Sequence, residues 1–347
     1  MKQAILRGPR QLVVEDVPIP ALEEGEALIR VESALVCGTD LRIFDGTKTK
    51  NVSYPSVLGH EFAGTIVDVK GVGSEVPAVG ERVAVYPIVP CGSCAACTRG
   101  RENICRNRMA FGYQIPGGFS EFVKVPAIAV RNGNMVPVGS LSADSAAVVE
   151  PLACALNGQL LIDTPAAKSL LIVGSGPLGL LHARLGRALG VPAIMTVDPA
   201  AHRRAAALES GADSALSPEE VTQEAVAAFT DGAGFDTVVV AVGRADAVEP
   251  YLDKLAPAAR VSLFAGFPTG QDTLRLSAND IHYNEYTFVG GSSCHLSNFT
   301  RITELISSGA LDAGGLVTSH LPIDAAEAAI EQARTGNDLR IAIAANA

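Results

Sequence analysis

A chain of 347 residues is too long for one ordinary hydrophobic core, so two domains are expected, each burying its own apolar face. Hydrophobic residues make up 48% and charged residues 18%, which excludes a disordered or coiled-coil chain. A net charge of −10 with a pI near 5.1 leaves no basic surface wide enough for a nucleic-acid backbone, and disfavours nucleic acid and anionic membrane as partners.

The opening residues, MKQAILRGPRQLVVED, contain no long apolar run before the first charges. No stretch reaches the about 18 uninterrupted apolar residues of a membrane span, so a cytoplasmic protein is expected. Seven cysteines, four of them within fifteen residues, suit metal ligation in a reducing compartment better than a disulfide framework.

Short alternating runs at 3–6, 12–16, 27–34, 62–69 and 82–86 are separated by Pro and Gly turns, among them one at 71–73, which predicts a small β-rich domain. Its loops hold the chemistry. Cys37, His60 and a glutamate, Glu61 or Glu150, offer the thiolate, imidazole and carboxylate that zinc accepts while keeping an exchangeable position. Thr39 supplies a hydroxyl beside this set, and Asp40 a carboxylate suited to orienting His60. Cys91, Cys94, Cys97 and Cys105 sit on one compact loop, where four thiolates close a tetrahedral shell and leave no room for substrate; a structural zinc is expected. Glu150 precedes Pro151 and a predicted helix over 153–161, so it is either a zinc ligand or a glutamate favoured by the helix dipole. Cys154, one turn on, reads as core packing.

From 169 the pattern becomes strand and helix in alternation. The continuous apolar run 169–173 leads into Gly174-Ser175-Gly176-Pro177-Leu178-Gly179, an apolar helical run over 178–189, and a second strand over 193–197 that ends at Asp198. Gly174 permits the tight turn, Gly176 lets backbone N–H groups approach a pyrophosphate at a helix opened by Pro177 and Leu178, and Gly179 lets that helix pack on the sheet. Asp198 would accept hydrogen bonds from ribose hydroxyls and repel a 2′-phosphate, favouring NAD over NADP; Arg203 and Arg204 are the counter-evidence. A helix over 218–229, a strand at 236–241, a helix over 245–255 and strands at 260–264 and 286–289 complete a doubly wound sheet of six strands, with Gly266 and Gly290-Gly291 ending the last two. The tail, with helices at 299–308 and 325–335 and extended runs at 316–322 and 339–343, is expected to return to the first domain.

These residues together resemble the zinc-containing medium-chain dehydrogenase/reductase family of alcohol and polyol dehydrogenases over essentially the whole chain. The likeness rests on Cys37-Gly38-Thr39-Asp40, Gly59-His60-Glu61 followed by Gly64, the four-cysteine lobe, Glu150-Pro151 and the Gly174 fingerprint. It implies an α/β protein: a GroES-like catalytic domain at 1–154 and 293–347, with the structural-zinc lobe at 88–108, split around a Rossmann domain at 155–292. It further implies two zinc ions per subunit, NAD, and reversible oxidation of a secondary alcohol, a polyol or sugar alcohol first and threonine or another amino alcohol as the alternative. Thr39 would relay the proton, Glu61 would stand at its exit, and Arg340, in Gly336-Asn337-Asp338-Leu339-Arg340, would touch the cofactor pyrophosphate. A homo-oligomer is expected, a tetramer favoured, with the strand at 286–289 pairing across subunits. Two departures stand out: Lys70 replaces a common small residue and Arg42 a common histidine. A zinc- and nucleotide-binding protein without turnover is the reading from another class.

Overall fold

The computed structural model describes residues 1–71, 73 and 76–344, so residue 72 of the turn expected at 71–73 and the last three residues of the chain lie outside the described residues. The chain forms two compact units, Met1–Glu150 with His295–Ala347, and Pro151–Cys294.

The first unit is β-rich. Its main sheet runs in the order Met135–Pro137, Arg82–Val85, Glu61–Val69, Ala27–Leu35, Ile341–Ala344 and Ser319–Pro322, with Phe122–Val125 also paired to Ala27–Leu35. The C-terminal tail joins this sheet: Ala342 lies opposite Leu35 and Ile343 opposite Ala34 in an antiparallel ladder. A smaller sheet pairs Leu12–Asp16, Lys2–Leu6 and Ser56–Val57. Ile29, Val31, Leu58, Phe62, Phe111 and Phe119 form part of one core, in which the Phe62 and Phe111 rings meet edge to face at 5.8 Å. Two short helices absent from the sequence expectation, Gly38–Phe44 and Ala143–Ala147, flank this sheet.

The second unit is a six-stranded sheet in the order Ser214–Leu216, Ala193–Val197, Ser169–Val173, Phe235–Val240, Leu255–Leu263 and Thr287–Gly290, every pairing parallel. That is the doubly wound dinucleotide-binding order, with the glycine-rich turn on the first strand, beside the point where strand order reverses. All five residues of Ser169–Val173 are buried, as a parallel strand covered on both faces requires.

Four elements differ from expectation. The sixth strand, Ser214–Leu216, is only three residues long and has no alternation to mark it. The helix predicted over 218–229 is broken into a 3₁₀ turn, Pro218–Glu220, and a helix, Gln223–Phe229, because Thr222 caps the second by accepting from Ala225 N. The run over 245–254 is 3₁₀ rather than α, with Pro250 removing a backbone donor from its interior, and the following strand already begins at Leu255. The helix expected from 153 begins at Val149, so Pro151 lies in its first turn, where no intrahelical donor is lost. Among the described residues, no helix is long and apolar enough to cross a membrane.

Candidate metal and cofactor sites

Cys37 immediately precedes the short helix Gly38–Phe44. Asp40, fully buried, accepts from Cys37 N through Oδ2 at 2.8 Å and from Gly59 N through Oδ1 at 3.3 Å. One carboxylate thus ties the backbone of the Cys37 segment to that of the His60 segment. Its Oδ1 also stands 3.5 Å from His60 Nδ1, an ion-pair separation from which the carboxylate can act on the imidazole. Gly59 has φ +86°, and a Cβ there would come within 2.5 Å of the Phe119 ring, so only glycine delivers the chain to His60 in this way.

The ligand atoms of Cys37, His60 and Glu61 all lie within 4.8 Å of one another. His60 is 7% and Glu61 1% exposed, and His60 Nδ1 and Glu61 Oε2 are buried without a hydrogen-bond partner. Burial, reinforced by the Glu61 charge, raises the pKa of the Cys37 thiol. Burial works against charge on His60 too, but the negative charges of Asp40, Tyr113 and Cys37 together outweigh it and raise the imidazole well above its usual value. A buried thiol, imidazole and carboxylate with orphaned atoms fit a divalent cation, which would hold the thiol as thiolate and satisfy those atoms.

Glu150, buried and the second residue of its helix, is not one of this trio. Its charge does reach Tyr113, whose pKa is raised mainly by burial and whose ring packs against His60 with centroids 5.7 Å apart. Thr39 Oγ1 accepts from Arg42 Nη2 at 3.0 Å. Arg340 is 6% exposed, and its Nε stands 3.6 Å from Glu61 Oε2.

In the four-cysteine lobe, Sγ–Sγ distances are 3.6 Å for Cys94–Cys97 and Cys94–Cys105 and 3.5 Å for Cys91–Cys105. A tetrahedron with Zn–S bonds of about 2.3 Å has edges of about 3.8 Å, so the loop is shaped for the ion. Backbone N–H groups of Ser93 and Cys94 lower Cys91 to about 6, whereas burial and neighbouring thiols push Cys97 up to about 12. Glu102, within the lobe, accepts from Leu296 N at 3.2 Å and lies 3.2 Å from His295 Nδ1, anchoring the lobe to the start of the helix Leu296–Ser307.

In the second unit, Gly174 has φ +99°, and a Cβ on Gly179 would lie 1.9 Å from Gly174 O. Gly176 caps the helix Pro177–Ala188, in whose first turn Pro177 and Leu178 are half-buried. Asp198 is 3% exposed; it accepts from Ser175 N and from Ala200 N, each at 2.9 Å, and therefore fixes the glycine-rich turn. Arg203 Nη1 stands 3.9 Å from Asp198 Oδ2, while Arg204 donates to the carbonyls of Asp198 and Pro199. Gly266 is exposed beyond the end of Leu255–Leu263. Two features escaped the sequence reading. The Arg42–Thr39 contact follows only from helical i, i+3 spacing within a helix too short to predict. Lys48 stands over the Tyr113 ring at 5.5 Å, and its only signal was a pair of lysines, Lys48 and Lys50, in an acidic chain.

Residues 23–133 match the family profile described as Alcohol dehydrogenase GroES-like domain, and residues 177–308 the one described as Zinc-binding dehydrogenase. An L-threonine 3-dehydrogenase of Pyrococcus horikoshii is 35% identical over 333 residues, covering 94% of this chain and 92% of the relative. A solved structure of a zinc-binding dehydrogenase from Sinorhizobium meliloti 1021, bound to NADP, superposes with a TM-score of 0.89 at 27% identity, over 99% of this chain and 98% of the other. An Escherichia coli CFT073 alcohol dehydrogenase complexed with NADH gives 0.87 at 27% identity, over 99% of both chains. Fold, donor sets and relatives define an alcohol-type dehydrogenase that uses zinc and a nicotinamide cofactor. The chain belongs to the zinc-containing medium-chain dehydrogenase family of alcohol and polyol dehydrogenases.

Proposed function

We propose that this enzyme oxidises the secondary alcohol of a 3-hydroxy amino acid of the L-threonine type to the ketone, reversibly and with NAD. The observation behind the chemistry is the Cys37, His60 and Glu61 donor set, within 4.8 Å, on the segments that Asp40 holds together beside the Thr39 hydroxyl. Zinc held there supplies a Lewis acid that polarises the alcohol oxygen and lowers its pKa. Thr39 has one lone pair engaged by Arg42; its second accepts from the substrate hydroxyl, and its own proton passes onward. Arg42 stays protonated and takes no proton itself, so the route continues through water, past Glu61.

NAD is favoured because the Asp198 carboxylate closes the first βα turn, where a second negative charge would be repelled, although Arg203 lies beside it. Glu150 completes the catalytic zinc shell directly or through water, the four-cysteine lobe takes a second zinc, and Arg340 serves the cofactor pyrophosphate from beside Glu61. Thr287–Gly290, at the edge of its sheet, pairs with another subunit in a tetramer.

The threonine-type substrate is favoured by the relative at 35% identity, named for that amino acid; polyols enter as the competing class. The test is NADH absorbance on mixing zinc-replete protein with NAD and L-threonine, or with a panel of polyols. Fastest turnover of L-threonine supports the reading, a polyol oxidised more efficiently replaces the substrate, and no NADH from any secondary alcohol overturns the function.

A further inference from the structure

Arg42, Lys48 and Arg108 carry like charge near the Cys37 centre, and among the described residues none of them forms an ion pair with a carboxylate. Arg42 donates through Nη2 to Thr39 Oγ1, and its Nε is buried with no partner. Lys48 places Nζ over the Tyr113 ring at 5.5 Å, and that ring packs on His60. Arg108, at the foot of the four-cysteine lobe, donates to Cys105 O at 3.1 Å. Half-burial lowers the Lys48 pKa from the usual lysine value, and the charges of Arg42 and Arg108 lower it further, while the Cys37 thiolate acts in the opposite direction. The acid nearest Lys48 in sequence, Asp45, is engaged by Arg10 and Arg334, and Asp40, nearest Arg42, accepts from two backbone N–H groups. The Lys48 segment is fixed rather than trailing, since Thr47 N and Lys48 N both donate to Arg42 O, at 2.9 and 3.0 Å.

Like charges held together at partial burial are unfavourable unless something of opposite sign joins them. In a chain of net charge −10, where arginines such as Arg7, Arg82 and Arg187 pair with carboxylates, this island beside the metal donors has no such pair among the described residues. We propose that Arg42, Lys48 and Arg108 bind an anionic oxygen group of the substrate, a carboxylate or a phosphate, carried beyond the carbinol carbon presented to the Cys37, His60 and Glu61 centre. The inference rests on the proposed alcohol oxidation and names its substrate class as anionic. Lys48 serves as a point charge half-removed from water, and Arg42 joins the anion site to the proton relay, because the guanidinium that orients Thr39 also faces the anion.

The test compares partners of one alcohol with and without the anionic group: L-threonine against L-threoninamide for a carboxylate, and a polyol monophosphate against the free polyol for a phosphate. In each pair the quantity read is the ratio of kcat/KM, anion-bearing over anion-free, for wild type, Lys48→Met, Lys48→Arg and Arg108→Gln. The expected result is a tenfold or greater fall in that ratio for Lys48→Met and for Arg108→Gln, expressed mainly in KM, with recovery in Lys48→Arg; the pair showing it identifies the anion. An unchanged ratio, or a rise confined to the KM for NAD, overturns the proposal, the second outcome assigning these cations to the cofactor. Titration calorimetry with L-threonine and with inorganic phosphate separates this inference from the activity. If no secondary alcohol is oxidised, the functional reading fails, while tenfold weaker anion binding by Lys48→Met still upholds the anion site and equal binding still rejects it.

Discussion

Arg42 Nη2 donates to Thr39 Oγ1 across 3.0 Å, so the cation that stands in place of the resembling family's histidine holds the hydroxyl that the proposed relay would use. Thr39 is left with one lone pair and one proton, the minimum a relay needs. Thr39→Val deletes the hydroxyl at nearly constant volume. It is expected to remove most of the turnover while zinc content stays at the wild-type level; full turnover in the variant would exclude the relay.

Arg42→Ala is expected to cost about tenfold in turnover, the worth of about one charged hydrogen bond to a neutral partner. The shape of the pH–rate profile should not change, because no group titrating in the working range is removed. A limb of the profile that vanished in this variant would mean that another group's ionisation depends on Arg42 and that the proton leaves by a different route.

The four-cysteine lobe should lose its order with its metal. Its helical turns are only three residues each, Cys97–Arg99 and Glu102–Ile104, and its exposed Arg99 and Arg101 are trypsin sites. Strong chelation is expected to make the segment between Cys91 and Cys105 cleavable and zinc to restore resistance, since folding and ligation are coupled in such loops. Equal resistance with and without metal would refute a structural zinc there.

His182 is a buried histidine outside the metal chemistry. Burial lowers its pKa from 6.5 to about 3, and Gln159 Nε2 lies 3.2 Å from its Nδ1 and donates to its carbonyl at 2.8 Å. Because the folded value lies below the unfolded one, the unfolded chain binds the extra proton. Stability is therefore full above about 6.5, falls as pH drops and levels off near 3, with a loss of about 2 kcal/mol by pH 5. His182→Phe, beside the Phe264 ring at 4.4 Å, should flatten that slope in denaturant melts between pH 7 and 5; an unaltered slope would show that His182 does not carry it.

Much of this was readable in the residues. The six-stranded sheet and its fingerprint follow from an apolar strand running into spaced glycines, and Gly179 earns its place in the motif through the 1.9 Å that a Cβ would leave to Gly174 O. Gly179→Ala should lower NAD affinity and cost at least about 2 kcal/mol of stability, read from calorimetry and melting, because the obstructing atom is backbone. Cys37, His60 and Glu61 were nominated by chemistry, and the four cysteines by spacing. What stayed hidden is what tertiary contact decides: that Asp40 binds two backbone N–H groups besides standing beside the imidazole, that Asp198 braces Ser175 and Ala200, and that Lys48 reaches Tyr113. Short elements such as Ser214–Leu216 carry too little periodicity to announce themselves.

Asp198→Ala follows from that last point. With both carboxylate oxygens engaged by backbone N–H groups, its loss should raise the KM for NAD at least tenfold and leave kcat within about threefold, since these contacts are alike in ground and transition states. A fall in kcat alone would move Asp198 away from cofactor binding.

The most direct measurement is zinc content and NADH formation in Cys37→Ser, side by side with wild type. Two zinc ions per chain in the wild type, one in the variant, and a loss of turnover greater than about a hundredfold are the expected results, since the missing Lewis acid is worth several kcal/mol. A variant that loses zinc yet oxidises the same alcohol at the wild-type rate would contradict catalysis at the Cys37, His60 and Glu61 centre.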